Sequence, residues 1–302
     1  MHSKTRLVLS LSFVIGLVSG ISASAQSKAA TDWPQFRGPG GLATSQATRL
    51  PITWSADQNI VWKTQLPGPG TSSPIVVGER VFLTCYTGYG PAAQGATSQD
   101  DLKLHVLCLS RADGRILWDK AIAPELPEQE RIREDHGYAS STPAADSERV
   151  YVFFGRTGVF AFSLDGRELW RAKVGSRIHG WGSAASPVLH RDLVILNASV
   201  ESESLVALNR QTGEETWRAG GIMEAWNTPL LVEVAGGKRE LVVPSFGKVL
   251  AFDPDSGRPS GTVTPASAGI CVPARSPTKA SSIRSVAGPA AAWPCAPAGE
   301  AT

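Results

Sequence analysis

The sequence predicts an all-β protein built from repeated four-stranded units, and three observations carry that prediction. Trp62, Trp118, Trp170 and Trp217 recur at intervals of roughly 50 residues, about the length of one four-stranded unit. A glycine turn stands shortly before three of them. Between the tryptophans fall Ser73-Pro74, Thr142-Pro143, Ser186-Pro187 and Thr228-Pro229, each leading into a β-branched or aliphatic stretch.

One unit reads as strands A to D. Strand A follows the Ser/Thr-Pro pair. Strand B is a short apolar run such as Val150-Tyr151-Val152-Phe153 or Leu193-Val194-Ile195-Leu196. Strand C alternates, as in Val206-Ala207-Leu208, and ends in an Asp/Thr-Gly turn that needs a positive φ. Strand D then carries the tryptophan, whose large ring can cover the neighbouring unit. Trp62 closes an earlier copy whose first three strands are not visible. Strand C of a fourth unit, Leu250-Ala251-Phe252, is intact, but Gly261 stands where its tryptophan should be. A β-sandwich with accidental tryptophan spacing would not produce these coincident markers. The prediction is a β-propeller of about four four-stranded blades, an incomplete ring.

The unit Ala-x-Asx-x-x-Thr-Gly-x-x-x-Trp, best seen at residues 207–217, resembles the repeat of pyrroloquinoline-quinone-like (PQQ-like) propellers. The opening Asp32-Trp33-Pro34-Gln35-Phe36-Arg37-Gly38-Pro39 is similar to that of exported bacterial members. The resemblance spans about residues 32–259. It implies structural docking roles for Trp62, Trp118, Trp170 and Trp217. It also implies relatedness to the propeller subunit of the outer-membrane assembly machine and to quinoprotein dehydrogenases. The first of these is lipid-anchored, and no cysteine stands near the processing site here.

Residues 1–25 read as a signal peptide. Lys4 and Arg6 precede an apolar run of about 15 residues, short of the roughly 20 that a spanning helix needs. Ala23-Ser24-Ala25 is a small-x-small cleavage site. Residues 26–259 are the propeller blades. Residues 260–302 are dominated by Ala, Pro, Ser, Gly and Thr, and read either as a disordered tail or as the product of a shifted reading frame. On either reading the fourth blade would lack strand D. The expected location is the periplasm or the outside of the cell, with no transmembrane segment in the mature chain.

Candidate site residues cluster before strand A, near the propeller axis: His136 and Tyr138, His179 and Trp181, then Glu224, Trp226 and Asn227. Such a set could stack on a flat ligand or an extended peptide, or could knit neighbouring loops together. Cys85 and Cys108 lie on neighbouring strands, so a disulfide and two buried thiols are both open. The sequence offers no tight metal-ligand spacing, no adjacent cysteine pair and no nucleophile elbow. A net charge of +2 gives no field that would draw nucleic acid. The expectation is a non-catalytic exported module binding protein, peptide or glycan, with no cofactor and no catalytic or metal residues. The alternative is a PQQ-dependent alcohol or sugar dehydrogenase, which would use PQQ with Ca²⁺.

Overall fold

The computed structural model describes residues 32–48, 50–91 and 98–264. The expected signal peptide and most of the low-complexity tail, with Cys271 and Cys295, lie outside them. Sixteen strands form four separate antiparallel sheets, each ordered A-B-C-D along the chain. Blade 1 holds β1 (Ile75–Val77), β2 (Arg80–Thr87), β3 (Lys103–Ser110) and β4 (Ile116–Ile122). Blade 2 holds β5 (Ala144–Ala145), β6 (Arg149–Phe153), β7 (Val159–Ser163) and β8 (Glu168–Ala172). Blade 3 holds β9 (Val188–His190), β10 (Leu193–Ala198), β11 (Ser204–Asn209) and β12 (Glu215–Gly220), with the single-turn helix α1 (Ser199–Ser202) between its middle strands. Blade 4 holds β13 (Leu230–Glu233), β14 (Arg239–Ser245), β15 (Lys248–Phe252) and β16 (Pro259–Val263).

The predicted glycine turns are present. Gly114, Gly166, Gly213 and Gly257 all have φ between 68° and 89°, and each lies against the ring of the preceding tryptophan. A Cβ at Gly213 would sit 2.7 Å from the Trp170 ring, and one at Gly257 would sit 2.4 Å from the Trp217 ring. Each indole also donates to a carbonyl of the next C–D turn. Trp62 bonds Arg111 (2.9 Å), Trp118 bonds Leu164 (3.0 Å), Trp170 bonds Arg210 (3.0 Å) and Trp217 bonds Pro254 (3.2 Å). Within its own sheet each ring-bearing position faces a small residue: Trp118 faces Cys108, Trp170 faces Ala161 and Trp217 faces Ala207. A register shift follows each of these pairs at the next residue.

The Ser/Thr-Pro pairs prove to be a second joint. The Ser73 N–H donates to the Thr142 hydroxyl (2.9 Å), Thr142 N–H to Ser186 (3.0 Å), and Ser186 N–H to Thr228 (3.0 Å). One hydroxyl per blade therefore satisfies the amide that precedes the neighbouring inner strand, where a backbone donor would otherwise be orphaned. Apolar packing follows the same order. Phe82, Val106 and Cys108 pack with Val150, Val152 and Phe162; Tyr151 and Phe153 pack with Val194 and Leu196; Leu193 and Ile195 pack with Leu241 and Val243.

Two expectations are corrected. The fourth blade does not lack strand D. β16 pairs with β15 through Val249↔Val263, Leu250↔Thr262 and Ala251↔Gly261, so the blade runs past residue 259. A backbone ladder needs no apolar side chain, so composition did not reveal it. Gly261 nonetheless occupies the tryptophan position opposite Ala251. The disulfide is excluded by register. Cys85 pairs with His105, whereas Cys108 pairs with Phe82, three rungs away and on the other face of the sheet. Both thiols are free and buried, and burial pushes Cys85 up to about 11 and Cys108 up to about 12.

Candidate functional site

In each blade the strands alternate in direction, so the D–A and B–C connections share one face and the A–B and C–D turns share the other. The first of these faces gathers the candidate residues. His136 is tied at both ring nitrogens, to the Ser140 hydroxyl (2.5 Å) and to the Trp181 carbonyl (2.8 Å) in the next loop. Thr71 continues the chain to Ser140 (2.8 Å). His179 packs on Trp226 with ring centroids 5.0 Å apart, and the Trp226 indole donates to the Gly182 carbonyl (3.0 Å). These three side chains knit the loops of successive blades.

Other candidates fall elsewhere. Tyr138 turns into the blade 1–2 core, edge-on to Tyr86, with its hydroxyl donating to the Gln129 carbonyl (3.0 Å). The Asn227 side-chain amide donates to the Pro244 carbonyl (2.6 Å), and the Asn227 backbone carbonyl accepts from the Asn197 side chain (2.9 Å). Glu224 is exposed on a loop backbone with φ 48°. Trp181 is 59% exposed, with the Arg131 guanidinium 5.4 Å from its ring centroid. It is not alone. Ile178, Met223 (54% exposed) and Phe246 (59% exposed) stand on the same face, and the Ser245 hydroxyl ties the Met223 loop to the Phe246 turn (2.7 Å). These neighbours lie in loops, where no period marks them in the sequence.

Two polar features also escaped the sequence. Glu201, on α1, is 2% exposed, and no group meets either carboxylate oxygen at full hydrogen-bond geometry. It lies at the joint between blades 2 and 3, beside Gly155 and Ser183. Burial pushes its carboxyl up to about 7, offset in part by the Ser183 hydroxyl. Burial also raises Glu128 to about 7, against the pull of Arg156. On blade 1, Thr87, His105 and Asp119 form a ladder across β2, β3 and β4, with contacts of 2.9 and 2.8 Å. This has the connectivity of a nucleophile, base and orienting acid. His105 is buried in the sheet, however, and the arrangement serves as a cross-strand polar bridge.

An arc of four-stranded blades, locked ring against glycine and hydroxyl against amide, defines a PQQ-like β-propeller repeat protein. The family model of outer membrane protein assembly factor BamB matches residues 102–268, and the chain belongs to that family. Among solved structures, the chain resembles quinohemoprotein alcohol dehydrogenase from Comamonas testosteroni, with a TM-score of 0.55 and 14% identity over 80% of this chain and 42% of that one. The corresponding enzyme from Pseudomonas putida gives a TM-score of 0.52 and 15% identity over 82% and 42%. BamB from Moraxella catarrhalis gives 0.47 and 13% over 67% and 54%. The chain thus spans about half the length, or less, of these proteins. No curated protein matches the sequence.

Proposed function

We propose that this chain is a non-catalytic, exported binding or scaffold module for protein, peptide or glycan. The observation that supports it best is that Ile178, Trp181, Met223 and Phe246 are all exposed apolar side chains on the D–A and B–C loop face. Isolated exposed apolar residues are ordinary, but four on adjacent loops of one face mark a binding surface. His136, His179 and Trp226 support that surface by fixing the loops. Screened against peptide and glycan arrays, the purified chain should bind through this face. Trp181→Ala should weaken the captured ligand by about two- to tenfold, the range of an aromatic stacking contribution, with an unchanged melting temperature. Equal binding by wild type and Trp181→Ala would sink the assignment.

The second reading is a PQQ-dependent dehydrogenase, and the fold of the two alcohol dehydrogenases favours it. Among the described residues, no group of three or more His, Cys, Asp or Glu side chains converges. Dye reduction that appears only with added PQQ and Ca²⁺ would overturn the binding reading.

Export belongs to the same proposal, with 1–25 removed, the blades running from residue 26 through the end of β16 (Pro259–Val263) and the chain released to the periplasm or beyond. Among the described residues no helix is long and apolar enough to cross a membrane. N-terminal sequencing should find Gln26 first; an intact Met1 on a membrane-bound product would refute it.

A further inference from the structure

The opening segment Asp32-Trp33-Pro34-Gln35-Phe36-Arg37-Gly38-Pro39 has a physical role that the repeat does not explain. Trp33 forms an antiparallel bridge with Val76, its N–H donating to the Val76 carbonyl (2.8 Å) and its own backbone carbonyl accepting from the Val76 N–H (2.9 Å). β1 already has β2 on its other side, so this bridge lies on the axial edge of the innermost strand. The Asp32 carboxylate accepts from Gly78 (3.0 Å) in the A–B turn of the same blade. One residue later the segment reaches blade 2, where the Ala145 N–H of β5 donates to the Pro34 carbonyl (2.8 Å).

The chain then folds back over its own indole. Gly38 has φ 71°, and a Cβ there would lie 2.5 Å from the Trp33 ring, so only glycine fits. Gly38 N–H bonds the Gln35 carbonyl (2.9 Å), and Ala43 N–H bonds the Arg37 carbonyl (2.7 Å). This compact turn presents the short 3₁₀ helix Pro39–Gly41 to β13 of blade 4. A Cβ built at Gly41 would stand 3.2 Å from Leu230 Cδ1. Twelve residues therefore touch the inner strands of blades 1, 2 and 4, although most of the repeat separates those blades in sequence.

We infer that residues 32–43 are an axial strap, which sets the opening of the arc by joining blade 1 to blade 4 and covers the A–B turn end of the axis. A ligand then reaches the axis from the opposite mouth, the face that bears Trp181. Among the described residues, the core packing and the hydroxyl relay of the four sheets run from each blade to the next, and the strap adds a link between the first and the last. Because its far contact lies on β13, the strap's seat is complete only when blade 4 is folded.

Hydrogen exchange on the full chain tests this. Trp33→Ala should speed exchange about tenfold or more in β5 and β13, both remote from residue 33 in sequence, because their opening is no longer coupled to the strap. Leu230→Ala, which leaves the Trp33 bridge intact, should speed exchange in residues 32–43. Changes confined to residues 32–43 and β1 in the first variant, and to blade 4 in the second, would overturn the strap and leave an added strand on blade 1. Should Trp33→Ala unfold the chain, Leu230→Ala alone decides between these outcomes.

Discussion

Trp170→Ala and Trp217→Ala are each expected to lower the unfolding free energy by about 3–5 kcal/mol, the cost of removing a large buried aromatic from a packed core. Both rings are buried, and both bridge two blades. Each loses an indole hydrogen bond to the next C–D turn, and the Arg210 or Pro254 carbonyl loses its donor. The partner glycines should be similarly intolerant. Gly213→Ala must place a methyl inside van der Waals contact with the Trp170 ring while holding φ at 77°, for a loss of about 2 kcal/mol or more. Urea titrations of the three variants check this. A loss below about 1 kcal/mol for both tryptophan variants would show that the blades are held mainly by their aliphatic faces and the hydroxyl relay.

Glu201 should make stability fall as pH rises. Its carboxyl is raised by burial from an ordinary 4.5 to about 7, so between those values the folded chain holds a proton that the unfolded chain has released. Stability is then full below about pH 4.5 and is lost through about pH 7, by about 3 kcal/mol in all. Glu128 adds a parallel contribution of the same sign. Arg156, Arg177, whose backbone N–H bonds the Glu201 carbonyl, and Arg218, which bonds the neighbouring Ser202 hydroxyl, are among the cations near this joint, and none hydrogen-bonds a Glu201 carboxylate oxygen. Glu201→Gln mimics the protonated acid. It should flatten the dependence of melting temperature on pH between 5 and 8 and raise the melting temperature at pH 8. An unchanged slope in that variant would place the acid in contact with water or a cation instead.

Much of this architecture is written in residues whose backbone demands are unusual. The glycine turns and the tryptophans mark the C–D hairpins because positive φ and a large ring allow few substitutes, and both stand out in one sequence. The Ser/Thr-Pro pairs were equally visible, but their hydroxyl-to-amide chain was not, since it joins residues of different blades. β16 escaped because Pro259–Val263 is a strand by its backbone ladder alone. The cysteine pair stayed open between bridge and free thiols because adjacency of strands says nothing of register, and a shift of three rungs separates thiols that sequence places on neighbouring strands. Of the mouth residues, Trp181 was legible as an aromatic before strand A. Met223 and Phe246 were not, because a loop has no period to interrupt, and Glu201 sits unremarked in a run of serines.

The missing ring at Gly261 gives the arc a direction. At one end Trp62 projects its indole onto blade 1, and the exposed Ile60 and Val61 flank it. At the other, the equivalent position of blade 4 carries only a hydrogen atom opposite Ala251. The joint that Trp62 makes with blade 1 therefore has no counterpart on the outer strand of blade 4, and whatever packs against β16 must do so without an indole and without its hydrogen bond to a turn carbonyl.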